Sequence, residues 1–134
     1  ELNRVIPVIT AIRAVTDTII SVDTTRSKVA KLAIEAGGDI INDISGGTYE
    51  PEIFKVAFSM QAPIILMHIR GTPATMQKLT NYDDVVTEVI SFLRGQIEIA
   101  VNTGIEREKI IIDPGIGFAK NYEQNLEIFH RLKE

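Results

Sequence analysis

Thr18-Ile19-Ile20-Ser21-Val22-Asp23 is β-branched and almost wholly apolar until its last residue, a carboxylate. A short run of this kind reads as a strand buried on both faces, the habit of parallel sheets covered by helices. The segments on either side change period. Upstream, residues 3 to 14 carry Val5, Ile6, Val8, Ile9 and Ile12, the pattern of an amphipathic helix ending there. Downstream, Val29, Leu32, Ala33 and Ala36 recur at helical spacing, and Gly37-Gly38 supply a C-terminal stop.

The same unit then repeats. Asp39-Ile40-Ile41-Asn42-Asp43-Ile44 is a second strand, followed by Gly46-Gly47 and a helix from Pro51 to Met60. Pro63-Ile64-Ile65-Leu66-Met67-His68 is a third strand, and Val86, Val89, Ile90, Leu93, Ile97 and Ala100 mark a long helix closing at Gly104. Lys109-Ile110-Ile111-Ile112-Asp113 is a fourth strand. Asn121 with Gln124 three residues on then forms a capping-box start for a last helix carrying Leu126, Phe129 and Leu132. Strands that alternate with helices long enough for right-handed crossovers predict an α/β fold with a parallel sheet. Two architectures fit: an open doubly wound sheet, or part of a TIM (β/α)8 barrel. A whole barrel needs about 250 residues, so 134 residues make about half of one.

Composition narrows the function classes. The chain has no cysteine, which excludes disulfides, thiolate metal sites and cysteine nucleophiles. Its two histidines, His68 and His130, argue against a multi-histidine metal site. A net charge of −4, without a basic run, argues against nucleic acid. No apolar stretch approaches the ~20 residues that span a bilayer, and the first residues show neither a signal-peptide nor a transit-peptide pattern. The expectation is one compact piece that binds neither nucleic acid nor membrane.

Parallel α/β folds place their sites at the C-terminal ends of the strands. Here those ends are Asp23-Thr24, Asn42-Asp43, Met67-His68 with Arg70, and Asp113. Converging, they would set two carboxylates, an amide and a basic group around one mouth. A carboxylate against apolar walls gains most from a ligand with paired N–H donors, and an amide adds a donor and an acceptor to the same ring. Met67 can pack on a ring face. The expected ligand is a flat, nitrogen-rich heterocycle. Each residue also has a plainer reading. Asp23 and Asp113 can serve as caps or turn residues, and Asn42 as a turn residue. His68 can be a structural histidine, His130 a surface one, and Gly115 and Gly117 turn glycines. Gly115-Ile116-Gly117-Phe118-Ala119-Lys120 matches no dinucleotide or P-loop spacing.

At these strand ends four motifs occur in order: Ser21-Val22-Asp23-Thr24; Ile41-Asn42-Asp43-Ile44; Leu66-Met67-His68 with Arg70-Gly71-Thr72-Pro73 and Thr75-Met76-Gln77; and Asp113-Pro114-Gly115-Ile116-Gly117-Phe118-Ala119-Lys120. Together they closely resemble the dihydropteroate synthase family of pterin-binding TIM barrels, over essentially the whole chain. The resemblance implies that residues 1–134 are a partial domain, truncated at both ends, corresponding to the family's third through sixth strands. It implies that Asp23, Asn42 and Asp113 hold a pterin ring, with Asp113 on the 2-amino edge, and that Ile44 and Met67 line it. Gly117, Phe118 and Lys120 would stand beside the p-aminobenzoate pocket. Asp23 and Asp113 are the expected catalytic residues, in electrostatic and orienting roles.

The implied reaction joins p-aminobenzoate to 6-hydroxymethyl-7,8-dihydropterin diphosphate, giving 7,8-dihydropteroate and pyrophosphate with Mg2+ assisting. The family's metal-reaching asparagine loop, its threonine–arginine loop, its strand-seven lysine and its strand-eight arginine and histidine have no counterpart here. No metal ligand is therefore expected within this chain, and the fragment is expected to be inactive alone. Ile116 stands where the family often has phenylalanine. The resemblance further implies a homodimer at full length. It implies a cytoplasmic location, or a mitochondrial one for a eukaryotic multifunctional folate protein. Alternative readings are a methyltetrahydrofolate-dependent methyltransferase, a non-catalytic pterin-binding module and, lowest, a response-regulator-like open sheet.

Overall fold

The computed structural model describes residues 1–134. In chain order the elements are α1 (Leu2–Arg13), β1 (Ser21–Asp23), α2 (Ser27–Glu35), β2 (Ile40–Asp43), α3 (Glu52–Met60), β3 (Ile64–Met67), α4 (Val85–Thr103), β4 (Ile110–Asp113) and α5 (Tyr122–His130). Local chemistry sets several boundaries. Asp84 caps α4 by accepting from the Thr87 N–H, and Gly104 ends that helix. Asn121 and Gln124 form the expected reciprocal capping box at α5.

The four strands are all parallel and lie in the order β1-β2-β3-β4. This order decides between the two architectures. A doubly wound sheet reverses its order so that helices cover both faces. A monotonic order with right-handed crossovers places every helix on the same side. Successive helices accordingly pack against one another in a single outer layer, α1 on α2, α2 on α3, α3 on α4 and α4 on α5. The open-sheet readings are thereby overturned, and the chain forms a barrel segment with one covered face and one bare, inner face.

The covered face carries the core. Ile41, Ile64 and Leu66 are fully buried against Ala30, Ile53, Phe54, Ala57 and Ala100 of α2, α3 and α4. Burying side chains of this size contributes about 1.5–3 kcal/mol each. The inner face has no such cover, which corrects the expectation of strands buried on both faces. In β1, Val22 is buried, whereas Ser21 and Asp23 are exposed. Ile111 in β4, on the same face as Asp113, is 44% exposed.

The first strand is also shorter than its apolar run. Before Ser21, the Ile20 N–H donates to the Asp39 carboxylate at 2.7 Å, and the Arg13 guanidinium donates to the Thr18 carbonyl at 3.2 Å. Side chains take those backbone groups, so the ladder starts only at Ser21. No helix is long and apolar enough to cross a membrane.

Asp43 ends β2 on the covered face and is completely buried. Its carboxylate accepts from the Ser45 N–H at 2.8 Å, the Ser45 hydroxyl at 2.7 Å and the Gly47 N–H at 2.8 Å. Burial nevertheless holds its pKa above the ordinary carboxylate value. Asp43→Ala would strand those donors away from water and should destabilise the fold by about 3 kcal/mol. Urea unfolding of the two forms checks this, and an unchanged midpoint would show that the turn is not held this way.

Candidate functional site

Side chains alternate between the two faces of a strand, and partners in register share a face. Register pairs Asp23 with Asn42, and Met67 with Asp113. Asn42 pairs with Ile65, two residues before Met67 and therefore on the same face. Asp23, Asn42, Met67 and Asp113 therefore all project from the inner face. Adjacent strands lie about 4.8 Å apart, and two residues advance the chain by about 6.6 Å. These residues thus occupy a patch about 14 Å across the four strands and about 7 Å along them. Ile44, half-buried, follows β2 at the rim of this patch.

Alternation also sorts out the neighbouring polar residues. Thr24, Asp43 and His68, each following an inner-face residue, are buried to 3%, 0% and 3% exposure. They therefore do not line the mouth as their position at strand ends suggested. Nor does Arg70, whose guanidinium lies over the Tyr82 ring at 3.7 Å from its centroid. Arg70 also pairs with the Glu88 carboxylate and donates to the Asn81 carbonyl at 2.6 Å. The predicted pair of acids and the amide share a face; the predicted basic group at the end of β3 is engaged elsewhere.

The hydrogen bonds around the patch leave its polar atoms available. Asp23 is exposed and Asn42 half-buried. Neither side chain joins the bonds that hold the adjacent turns. Asp113 uses one oxygen, accepting from the Gly115 N–H at 2.7 Å. Its second oxygen, the Asp23 carboxylate and the Asn42 carboxamide form a set of acceptors with one amide donor.

The turn after β4 is built differently from the strands. Gly115, Gly117 and Ala119 alternate in the left-handed region, with φ of 72°, 81° and 53°. Asn125 of α5 accepts from the Gly117 N–H at 2.9 Å, and the Tyr82 hydroxyl donates to the Ala119 carbonyl at 2.9 Å. Gly117 is exposed and Phe118 half-buried. Lys120, expected beside a substrate pocket, is buried to 3% exposure. Its ammonium donates to His68 Nδ1 at 2.9 Å and to the carbonyls of Gly115 and Phe118 at 3.0 Å each. Sequence reasoning missed this inward turn, because a buried lysine is rare and no pattern announces one.

Burial pushes the Lys120 amine down to about 8, with Asp113 opposing and Arg70 assisting. Burial first, then the charges of Lys120 and Arg70, pushes His68 down to about 3. His68 is therefore neutral and structural, edge-on to Phe92 at 5.0 Å, while His130 is exposed. An unfolded histidine takes up its proton near pH 6.5. The native state resists protonation down to about pH 3, so stability should fall as pH drops through that window, with about one proton taken up on unfolding. Urea titrations between those pH values, repeated on His68→Asn, check the assignment; the variant should show a flatter slope.

No three His, Cys, Asp or Glu side chains converge to hold a metal ion. Two apolar grooves mark the unpaired sheet edges. One of about 400 Å3 lies between α1 and β1, lined by Val5, Val8, Ile9, Ile12 and Ile20. The other, about 360 Å3, lies between α4, β4 and α5 around Val89, Leu93, Ile112 and Ile128.

Comparison with known proteins agrees with this geometry. The chain is 54% identical to the dihydropteroate synthase of Synechocystis over 100% of its own length and 46% of that protein. It is 44% identical to a mitochondrial folate synthesis bifunctional protein of Arabidopsis thaliana, over 98% of this chain and 25% of that one. Among solved structures, dihydropteroate synthase from Stenotrophomonas maltophilia superimposes with a TM-score of 0.94 at 38% identity, over 99% of this chain and 50% of that one. The Xanthomonas albilineans enzyme in complex with 7,8-dihydropteroate gives a TM-score of 0.89 at 36% identity, over 98% of this chain and 47% of that one. The chain thus spans half or less of the length of these relatives, and its sheet is about half of a TIM barrel. The model of the pterin-binding enzyme family matches residues 1–134 throughout, and the chain belongs to that family.

Proposed function

We propose that the full-length protein containing this chain is a dihydropteroate synthase. It would join p-aminobenzoate to 6-hydroxymethyl-7,8-dihydropterin diphosphate, forming 7,8-dihydropteroate and releasing pyrophosphate. The observation that carries this reading is the placement of Asp23, Asn42, Met67 and Asp113 on one inner face. The relatives that share these strands support it.

The chemistry follows from the donor set. The free oxygens of Asp113 and Asp23 accept the N–H groups of a pterin edge, and the Asn42 amide offers a donor and an acceptor to the same ring. Met67 shares the inner face through its register with Asp113, and although only 4% exposed its polarizable thioether borders the ring. Cleavage of the C–O bond to pyrophosphate leaves positive charge on the pterin methylene, delocalised into the ring. Fixed carboxylates next to that ring stabilise the cation more than the neutral ground state, and this difference lowers the barrier. The arylamine nitrogen then forms the new C–N bond to the methylene and gives up one proton, to the departing pyrophosphate or to water, with Phe118 and Gly117 bordering its approach.

The role of this chain is to hold the ring. Arg70 and Lys120, the basic groups that follow β3 and β4, are engaged within the protein. Neither is therefore free to receive the pyrophosphate. Incubating the full-length protein with pterin diphosphate and p-aminobenzoate should yield dihydropteroate and pyrophosphate, with a sulfonamide competing against p-aminobenzoate. Cobalamin-dependent methyl transfer, or pterin binding with no condensation, would replace this reading with another.

A further inference from the structure

The turn that follows Asp113 and carries Phe118 lies outside strand and helix, and three of its residues sit at positive φ. The Lys120 side chain curls back under this turn and reaches the Gly115 and Phe118 carbonyls together with His68 at the end of β3. Those three acceptors match the three N–H bonds of an ammonium, so no donor is left for a ligand. His68 can accept because burial keeps it neutral, and its ring is fixed edge-on to Phe92. The Gly115 N–H in turn holds one oxygen of Asp113. A continuous chain of contacts therefore runs from His68 through Lys120 and Gly115 to the acid on the inner face.

We propose that Lys120 and His68 are positioning residues that fix Asp113 and Phe118 for the condensation, and that the Lys120 ammonium makes no contact with substrate. This rests on the synthase reading given above. Lys120 acts through the turn, where its charge also lies near the Asp113 carboxylate, Arg70 and His68. Loss of the ammonium would leave two carbonyls and an imidazole nitrogen without their shared donor, and the turn would loosen while the strands stayed in place.

The test uses the full-length protein, with hydrogen exchange and steady-state kinetics measured side by side. In Lys120→Met the Gly117 and Phe118 amides should exchange at least about tenfold faster. Those of Ile41, Phe54 and Ile64 in the core should be unchanged. The value of kcat/KM for p-aminobenzoate should fall roughly tenfold to a hundredfold, the scale of a small misplacement of reacting groups. His68→Leu, which removes the acceptor, should behave like Lys120→Met, and His68→Asn, which keeps an acceptor oxygen, should recover most of the loss. This pair decides the matter if Lys120→Met does not fold.

A fall in activity with unchanged exchange in the turn would assign Lys120 to substrate and overturn the proposal. So would equal behaviour of the two His68 variants. Absence of condensation by the parent protein would remove the synthase reading, and the exchange measurements would still report on the strut.

Discussion

Asp113→Asn in the full-length protein should lower kcat/KM by about 10³-fold, the effect of removing one preorganised electrostatic group from a reacting centre. The substitution isolates charge from shape. The carboxamide would have the same outline as the acid and could still accept from the Gly115 N–H, now 2.7 Å from the carboxylate, so the turn keeps its first bond. The negative charge disappears, and with it the second acceptor oxygen facing the ring. An amide turned to keep Gly115 presents its NH2 group to the pterin N–H donors, so donor meets donor. About 3–4 kcal/mol of transition-state stabilisation is the corresponding scale. Thermal unfolding should be little changed, because Asp113 is only half-buried and lies on the uncovered face. The informative measurement is kcat/KM for both substrates together with the unfolding midpoint. Near-native turnover in a folded Asp113→Asn protein would remove this acid from the mechanism.

The polar strand ends that lead to this expectation are visible in the sequence because burial and chemistry leave opposite marks. β3 is apolar through Met67 and is followed by His68, and β4 is apolar through Ile112 and ends in Asp113, so the sequence turns polar where each strand reaches the rim. The Asn121–Gln124 cap and the Gly104 stop are likewise local signals, set by a few adjacent residues. Which residue of Asn42-Asp43 or Met67-His68 faces the ligand is a matter of parity. Parity depends on register with strands far away in sequence.

Nor does local pattern separate an arginine that receives a ligand from one stacked on Tyr82, as Arg70 is. The exposure of Asp23 and Ile111 is also hidden, because an inner barrel strand reads as doubly buried although its second cover comes from across the barrel. The 113–120 turn is the hardest to read. Its left-handed residues have no period, and the side chain that organises it is a lysine, a residue type that seldom lies inside.

Gly115→Ala should be the most damaging single methyl in this molecule, in both stability and turnover. Gly115 sits at φ +72°, and a Cβ built there would lie 2.0 Å from the His68 carbonyl oxygen and 3.1 Å from its carbonyl carbon. Both atoms belong to the backbone at the end of β3, so no rotamer change relieves the overlap; either the strand end or the turn must move. Moving the turn strains all the bonds that converge on this residue: its N–H to Asp113 at 2.7 Å, and its carbonyl with the Phe118 N–H and with Lys120 at 3.0 Å. Strain at positive φ and the loss of part of this network together predict destabilisation of about 3 kcal/mol or more. They also predict a loss of more than about 10²-fold in kcat/KM, as Asp113 is displaced.

Gly117 is the control. It has φ +81° and nothing within 4 Å of a built Cβ, so Gly117→Ala bears only the backbone penalty, about 1 kcal/mol. Urea unfolding and steady-state kinetics on the two variants separate the causes. If the two alanine substitutions have equal effects, conformational preference alone governs the turn and its close approach to β3 is incidental. A gap of about 2 kcal/mol or more between them would show that contact with the His68 backbone holds the acid in place, the scale expected for a backbone clash that cannot relax.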